Sequence, residues 1–379
     1  MAVVRGDTIN DQIAWLRSKG GFFSDKMTYG TYDEVNPSIN GLFAKENIEA
    51  KEQIMIIPKS ALITGGPTED LCETVRKLAL EYHRKSESPF QPYVKYVFEI
   101  YNHEHLPSAW SDRAKGIFKK LIGNELEPQD FGELSFQESC NGSEEDAENK
   151  TLAAALRIVL SRGWTDKLVP LFDMMNHRNG RFFNVDQANS VHGSDELSIV
   201  ALRRIKKGEQ LFISYNECHD SECDGIAESY TLAEIFNDYG FVEQYPRRFN
   251  FDTSVGNLIF DLDEDDDGQF HINWLSDPVT LSGKNWFQGH LKRLHQMKSS
   301  IVEDVENLAA SYEKKSILEY YEATIVALEE VVNWWDSFDE GIKEECSDEI
   351  NDDKVCAASD RYDALEEQPD PLQMLRLEG

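Results

Sequence analysis

The sequence predicts an α+β fold, in which stretches of short strands and stretches of helices follow one another along the chain. Strand-like runs cluster over residues 42–57 and return over residues 168–245. Helical periodicity governs the segment between them and returns in two long apolar stripes near the C-terminus. These shifts in pattern divide the chain into four parts, predicted at residues 1–67, 68–160, 161–248 and 249–379.

The first part begins with an amphipathic helix over Thr8 to Lys19, which Gly20-Gly21 ends. Residues 42–44 and 53–57 are short apolar runs typical of strands. A cluster of glycine and proline at residues 65–67 closes this part of the chain.

The second part is a helical insertion that Pro89, Pro92 and Pro107 divide into short helices, because proline has no amide hydrogen to donate. Gly142 to Lys150 is a polar, acidic loop, and Thr151 to Ser161 predicts a further helix rich in alanine and leucine. The other apolar positions at helical spacing are Leu71, Val75, Leu78, Ala79, Tyr82, Ala114, Ile117, Phe118 and Leu121.

The third part holds two strand runs, Leu197 to Val200 and Gln210 to Tyr215, on either side of the basic turn Arg203 to Gly208. In the fourth part, residues 249–262 predict extended backbone. Two helices follow, and their apolar stripes predict helix-helix packing rather than a binding face. The stripes are Leu291, Leu294, Met297, Ile301, Val305 and Leu308, then Leu318, Tyr321, Ile325, Leu328, Val332 and Trp335.

An acidic run at Asp263 to Gly268 resembles the opening of an EF-hand calcium loop. The twelfth position of that loop would be Trp274, where calcium binding requires a bidentate glutamate. The flanking residues alternate as strands do, so we interpret the run as a hairpin turn and predict no metal site.

The formal net charge of the 379-residue chain is −32, and its hydrophobic content of 40% is that of a globular protein. Residues 336–370 alone hold 14 acidic and 3 basic side chains. This balance excludes a sequence-independent grip on nucleic acid, which requires lysine and arginine. We interpret the acidic residues 336–370 as a solvated surface, which also allows electrostatic steering of a basic protein partner.

No stretch of the sequence reaches the roughly 20 apolar residues that span a bilayer, so we expect a soluble monomer without membrane association. The N-terminus resembles neither a secretory signal nor a transit peptide, which predicts a cytoplasmic or nuclear protein and leaves a plastid only if a transit peptide has been removed. Six cysteines without CxxC or zinc-finger spacing predict free thiols: Cys72, Cys140, Cys218, Cys223, Cys346 and Cys356.

The residues that carry chemistry gather between residues 161 and 243. An apolar run, residues 169–172, leads directly into Asp173-Met174-Met175-Asn176-His177. Alone, an Asn-His pair is weak evidence for a functional site, because a single histidine is more often structural. Four further motifs accompany it: Gly41-Leu42-Phe43-Ala44, Ser161-Arg162, Lys207-Gly208-Glu209-Gln210-Leu211-Phe212-Ile213-Ser214-Tyr215 and Asn237-Asp238-Tyr239-Gly240-Phe241-Val242-Glu243.

In this order and composition the chain resembles the SET-domain protein methyltransferases, and within them the branch typified by the Rubisco large-subunit lysine methyltransferase. The resemblance implies a SET-domain β-fold in which the NH segment (Asn176-His177) and the ISY segment (Ile213-Ser214-Tyr215) form a pseudoknot. It also implies a helical insertion and a helical C-terminal substrate-binding domain. It implies S-adenosylmethionine (SAM) as cofactor and a protein substrate. The activity it implies is methylation of a lysine of a non-histone protein.

The resemblance also implies roles for single residues. Asn176 and the backbone of His177 would hold SAM together with the backbone of Gly41 and Leu42, and Arg162 would lie beside its carboxylate. Phe241 would cover the adenine, and Phe172 and Tyr239 would contact the substrate. The full set implied for the cofactor is Gly41, Leu42, Arg162, Asp173, Met175, Asn176, His177, Tyr215 and Phe241.

Methyl transfer to lysine needs the two reacting centres aligned and the ammonium deprotonated. Tyr215 and Tyr239 are the predicted catalytic residues, because their hydroxyls can accept hydrogen bonds from the incoming amine and orient its lone pair. A phenol has an ordinary pKa near 10, so we expect both tyrosines to orient the amine before they act as bases.

Two departures from the family pattern stand out. Ile39 replaces the first glycine of Gly-x-Gly, which bears on cofactor affinity, and residues 217–228 form a local insertion before Tyr239. Histidine methylation remains an alternative, although the retained Tyr239 and the Gly163-Trp164 pair after Arg162 favour lysine. A catalytically silent SET scaffold that binds protein tails is the second alternative.

Overall fold

The computed structural model describes residues 2–31, 40–66, 70–101, 103, 105–122, 136–143, 149–164, 167–187, 196–215, 230–253, 256–276 and 281–348. Several features of the sequence analysis lie outside these ranges. They are Ile39, the insertion at 217–228 with Cys218 and Cys223, most of the acidic loop (144–148), and the tail after residue 348 with Cys356.

Among the described residues, the helices are α1 Ala2–Ser18, α2 Leu71–Arg84, α3 Gln91–Lys95, α4 Asp112–Ile122, α5 Phe136–Cys140, α6 Lys150–Arg162, α7 Leu232–Tyr239, α8 Leu281–Glu306 and α9 Ser311–Asp348. The strands are β1 Phe22–Phe23, β2 Met27–Thr31, β3 Asn40–Ala44, β4 Gln53–Pro58, β5 Ile63–Thr64, β6 Gly163–Trp164, β7 Lys167–Leu168, β8 Asn176–His177, β9 Val185–Gln187, β10 Glu196–Ala201, β11 Phe212–Ile213, β12 Arg247–Thr253, β13 Gly256–Glu264 and β14 Phe270–Trp274.

The predicted α+β class is confirmed, because small and mostly antiparallel sheets lie beside separate helical segments. One sheet has the order β1-β4-β10-β9, a second β5-β7-β6, and β2 pairs with β3. β8 and β11 pair in parallel, which places the NH and ISY segments side by side. None of the described helices is both long enough and apolar enough to cross a lipid bilayer.

The helices of the insertion begin where the sequence supplies capping side chains. The Asp70 carboxylate accepts a hydrogen bond from the Glu73 amide at the start of α2, and Asn149 caps α6 in the same way. α2 and α6 pack on one another through apolar residues, among them Val75, Leu78 and Leu156. Helix α1 begins at Ala2, six residues before the predicted start at Thr8.

The chain falls into two compact units. The first comprises Met1–Ser111, Gln129–Ala227 and Glu234–Gln244, and the second comprises Asp112–Pro128, Glu228–Ala233 and Tyr245–Gly379. The first unit contains β1 to β11, and the second contains α4, α8, α9 and the sheet β12-β13-β14. The four-part division at residues 67, 160 and 248 stays a prediction.

The second unit confirms two predictions about its elements. The acidic run is a hairpin turn between β13 and β14, closed at Glu264 and Phe270, in which one Asp265 carboxylate oxygen accepts hydrogen bonds from two backbone amides. α8 and α9 pack together as predicted; Leu294, Leu328 and Trp335 of the predicted stripes are buried, whereas Leu318, Ile325 and Val332 are only partly buried.

The prediction of free thiols was wrong for two of the six cysteines. Cys72 of α2 and Cys140 of α5 form a disulfide whose Cα atoms lie 5.5 Å apart. The two residues are 68 positions apart in sequence and share no motif, so only the contact between α2 and α5 brings them together.

Candidate active site

The short parallel pair β8–β11 is the centre of the candidate site. Asn176 lies opposite Phe212 and His177 opposite Ile213, and the Arg178 amide donates to the Ile213 carbonyl at 3.1 Å. The apolar run before β8 is buried and ends in a single 3-10 turn, Phe172–Met174. This buried run fixes the backbone from which Asn176 and His177 project.

Gly41 lies directly against the side-chain amide of Asn176. A Cβ added at Gly41 would stand 2.9 Å from Asn176 Nδ2 and would collide with the Gln210 amide. Asn176 Nδ2 itself donates to the Asn40 carbonyl at 3.0 Å. Leu42 is fully buried, and its carbonyl accepts from the Leu211 amide at 2.8 Å. A side chain at position 41 would therefore displace the amides of two side chains of the protein itself.

Tyr215, Tyr239 and Phe241 form an aromatic cluster beside His177. The rings of Tyr215 and Tyr239 have centroids 4.5 Å apart, and Phe241 lies 6.4 Å from Tyr215 and 6.2 Å from Tyr239. The Tyr215 hydroxyl donates to the Met175 carbonyl at 2.8 Å. Burial, followed by the neighbouring Tyr239, raises the pKa of Tyr215 well above its ordinary value.

The turn that carries Tyr239 and Phe241 depends on Gly240. Its backbone has φ +74°, a left-handed conformation that favours glycine. A Cβ at this position would also collide with the His105 carbonyl and lie 3.3 Å from Leu106 Cα. Tyr239 and Phe241 therefore keep their relative orientation only if residue 240 is glycine.

Arg162 and Asp173 form a buried ion pair. Arg162 Nε donates to Asp173 Oδ2 at 2.8 Å and Nη2 donates to the Asp173 carbonyl at 2.9 Å. Tyr93 donates to the same Oδ2 at 2.7 Å, and the guanidinium carbon lies 4.3 Å from the centre of the Tyr101 ring. Burial alone would lower the pKa of Arg162, but the Asp173 carboxylate and the neighbouring phenols of Tyr96, Tyr101 and Tyr93 together raise that pKa above its ordinary value.

A single pocket in the first unit brings together five of the predicted residues. Asp173 Oδ1 is buried there and has no hydrogen-bond partner among the described residues. The buried Phe172 ring lies 5.4 Å from Trp164. The pocket is lined by Ser161, Arg162, Gly163, Trp164, Phe172, Asp173, Ile213, Ser214, Tyr215 and Tyr239.

The other predicted residues do not line this pocket but lie around it. Met175 contributes its carbonyl to Tyr215, and His177 lies 5.1 Å from Tyr215 and 6.0 Å from Phe241 between ring centres. Sequence reasoning assigned no role to Tyr93, Tyr101 or Glu243. The two tyrosines belong to the helical insertion, 61 or more positions before Arg162, and nothing in the local sequence connects them to it.

Glu243 was visible in the sequence but received no role. It is fully buried, and its Oε2 accepts hydrogen bonds from His177 Nε2 at 2.8 Å and from Asn179 Nδ2 at 2.9 Å. It stands two residues after Phe241, at the end of the motif that marks the site. A buried carboxylate needs such donors, so an acidic residue directly after an apolar motif is the signal that could have found it.

Comparison with known proteins finds a family match that includes most residues of this site but ends before Tyr239 and Phe241. Residues 40–216 match the family model of the SET domain. A curated relative, N-lysine methyltransferase setd6 of Danio rerio, is 23% identical over an alignment of 291 residues that covers 64% of this chain and 59% of the relative. The chain therefore spans about three fifths of the length of that relative.

Two solved structures are similar to the chain at low identity. One is the SET domain of LSMT bound to lysine and AdoHcy, with 13% identity, a TM-score of 0.49, and coverage of 96% of this chain and 99% of that one. The other is Rubisco LSMT bound to sinefungin and monomethyllysine, with 14% identity, a TM-score of 0.48, and coverage of 97% and 99%.

Proposed function

We propose that this chain, which contains a SET domain at residues 40–216, is a SAM-dependent protein-lysine N-methyltransferase that acts on a non-histone protein. The observation that carries the proposal is the pair of tyrosines, Tyr215 and Tyr239, which line one pocket beside His177 with ring centres 4.5 Å apart and ring planes tilted by 39°. The lysine-methylating activity in the name of the zebrafish relative supports the same acceptor.

The residues in and around the pocket fit the two cationic groups of SAM, its ammonium and its sulfonium. Asp173 Oδ1 is a buried acceptor without a partner among the described residues, and it suits a cationic group. The aromatic rings of Tyr215 and Phe241 suit a sulfonium, because ring faces attract cations.

The residues that would hold the cofactor come from four places: β3, the C-terminal end of α6, β8 with the residues just before it, and the aromatic cluster. SAM supplies an electrophilic methyl group when bound. The proposed set is Gly41, Leu42, Arg162, Asp173, Met175, Asn176, His177, Tyr215 and Phe241.

In this site the protein orients the acceptor amine. The hydroxyl proton of Tyr215 is already donated to the Met175 carbonyl, so its oxygen presents lone pairs to an incoming N–H. Loss of water in the pocket, whose lining includes Phe172 and Trp164, lowers the pKa of the ammonium and helps it to lose a proton to solvent. The Tyr215 oxygen would hold this neutral amine in position to accept the methyl group of bound SAM.

The test of the proposal compares full-length wild type with Tyr239→Phe. We expect the wild type to bind SAM in calorimetry and to transfer labelled methyl groups to lysine residues of lysate proteins, identified by mass spectrometry. Loss of one orienting hydroxyl should lower the turnover on the order of 100-fold. SAM affinity should stay within a few-fold of wild type.

The control variant is Tyr82→Phe. Tyr82 stacks on Phe98 at 4.1 Å within the helical insertion and does not line the pocket, so its loss should leave turnover unchanged. The proposal fails if calorimetry gives no heat with SAM and no lysate protein acquires label. Label on histidine instead of lysine would replace the proposed acceptor.

A further inference from the structure

Glu243 is the point at which two separate segments of the candidate site meet. A single carboxylate oxygen, Oε2, receives hydrogen bonds from His177 Nε2 at 2.8 Å and Asn179 Nδ2 at 2.9 Å. The side chains of Glu243 and His177 are 0% and 1% exposed. Two buried donors that converge on one oxygen need a strong acceptor, and a carboxylate is stronger than a neutral carbonyl.

The hydrogen bonds of His177 determine which nitrogen carries the proton. Nδ1 accepts from the Tyr215 backbone amide at 3.0 Å, so it must hold a lone pair. The hydrogen therefore sits on Nε2, which donates to Glu243. With both nitrogens committed, the imidazole is neutral and cannot rotate without losing both bonds.

Asn179 links the same carboxylate to Ser214 by a second pair of hydrogen bonds. Its Nδ2 donates to Glu243, while its Oδ1 accepts from the Ser214 hydroxyl at 2.9 Å. Ser214 and Tyr215 are consecutive residues that follow β11. The backbone at Ser214-Tyr215 is thus held from one side by two side chains, both of which are anchored to Glu243.

We propose that Glu243 is the positioning residue that sets the geometry of the two tyrosines. Through His177 and Asn179 it holds the segment that carries Tyr215. Glu243 itself lies two residues after Phe241 and four after Tyr239. Its hydrogen bonds therefore also hold the segment of residues 239–243 against the strand pair β8–β11. The 4.5 Å spacing of the tyrosine rings depends on this connection. The catalytic part of this inference rests on the proposed function.

The experiment compares Glu243→Ala with Glu243→Gln in the full-length chain. Alanine removes the acceptor, and glutamine keeps one carbonyl oxygen in its place. Displacement of a reacting group by about 1 Å costs on the order of 100-fold in rate. We expect kcat of the alanine variant to fall about 100-fold at saturating SAM and peptide, with SAM stoichiometry unchanged and substantial rescue by glutamine.

A merely structural role predicts a different result. In that case the alanine variant melts at a lower temperature, but kcat per SAM-binding molecule stays within twofold of wild type, and the proposal is overturned. Glu81→Ala is the matched control, because Glu81 is also a buried glutamate, on α2, and it does not line the pocket. Its substitution should affect stability without changing kcat.

A second measurement needs neither SAM nor turnover. Nitrogen-15 NMR of labelled histidine in the unliganded wild type should show His177 protonated only on Nε2, with its signal assigned from a His177 variant. In Glu243→Gln that signal should shift, and a signal identical to wild type overturns the proposal. If wild type transfers no methyl group but shows this signature, the proposed function fails while the anchoring of His177 stands.

Discussion

At position 41 the missing side chain does more than give the backbone freedom. Gly41 lies opposite Gly30 in the β2–β3 pair, and only one of these two glycines faces crowded neighbours. A Cβ at Gly41 would press on the Asn176 amide, whereas a Cβ at Gly30 would lie 3.5 Å from Phe43, an ordinary contact. Alanine at Gly41 is therefore the test substitution, and alanine at its strand partner Gly30 is the matched control.

Gly41→Ala should push the Asn176 and Gln210 amides aside. We expect the free energy of unfolding to fall by about 1–3 kcal/mol, the usual cost of overpacking. Because Asn176 is displaced, SAM affinity should fall on the order of tenfold, which corresponds to about 1.4 kcal/mol. Urea unfolding and calorimetry measure the two effects, and Gly30→Ala should change neither. Equal responses of the two variants would contradict this account.

Tyr215 should not contribute an ionisation to the pH dependence of turnover. Burial raises the pKa of its phenol, so the neutral form persists below that raised pKa and therefore throughout pH 6 to 10. The lysine amine, with an ordinary pKa near 10.4, must instead be deprotonated. We expect kcat/KM to rise with pH through the fraction of neutral amine, in a profile measured from pH 6 to 10.

Tyr215→Phe separates the two ionisations. If the hydroxyl only orients the amine, the variant has the same profile shape at lower amplitude. Loss of an ascending limb in Tyr215→Phe would show instead that the phenol acts as the base. Tyr239→Phe provides a second profile for comparison, because Tyr239 lines the same pocket.

At the scale of elements, the sequence predicted a strand over Gln210 to Tyr215, but only Phe212 and Ile213 form one. The backbone on either side bonds elsewhere. The Leu211 amide donates to Leu42, and the Tyr215 amide donates to the His177 ring instead of to a strand. Apolar alternation predicts extended backbone, but it does not reveal a side-chain acceptor 38 residues away.

The disulfide between α2 and α5 predicts how the helical insertion responds to reductant. It closes a 68-residue separation, and restraint of an unfolded loop of that size is worth about 4 kcal/mol. A cation–π contact of Arg76 of α2 with Phe136 of α5, at 4.8 Å, joins the same two helices and does not involve the disulfide. Reduction should therefore lower the free energy of unfolding measured in urea by about 4 kcal/mol while the two helices remain folded in native buffer.

The double variant Cys72→Ser/Cys140→Ser is the control for this measurement. It should match the reduced wild type in stability and show no further change when reductant is added. Wild type that unfolds at the same urea concentration with and without reductant would contradict the prediction. Circular dichroism follows both proteins through the transition.

At the scale of the whole molecule, the sequence predicted which residues line the site better than it predicted the buried residues that hold them in place. Arg162, Asp173, Tyr215 and Tyr239 line one pocket, as expected of residues that local motifs mark. The groups that hold them were not predicted, because each acts across a long separation: Tyr93 lies 80 positions from Asp173, and Glu243 lies 66 from His177. Such pairs depend on tertiary packing, which periodicity and motif spacing do not encode.

The net charge of −32 should influence which proteins reach this site. A field of that sign attracts basic segments over a distance set by the Debye length, which is about 10 Å at 0.1 M salt and about 3 Å at 1 M. We expect KM for a lysine peptide flanked by lysine and arginine to rise on the order of tenfold between 0.05 and 0.5 M sodium chloride, with kcat unchanged. A peptide with the same acceptor lysine and uncharged flanks is the control, since its KM should respond little. If both peptides respond equally, or if acidic flanks give the lower KM, the acidic surface serves solubility alone and substrate selection resides in the pocket.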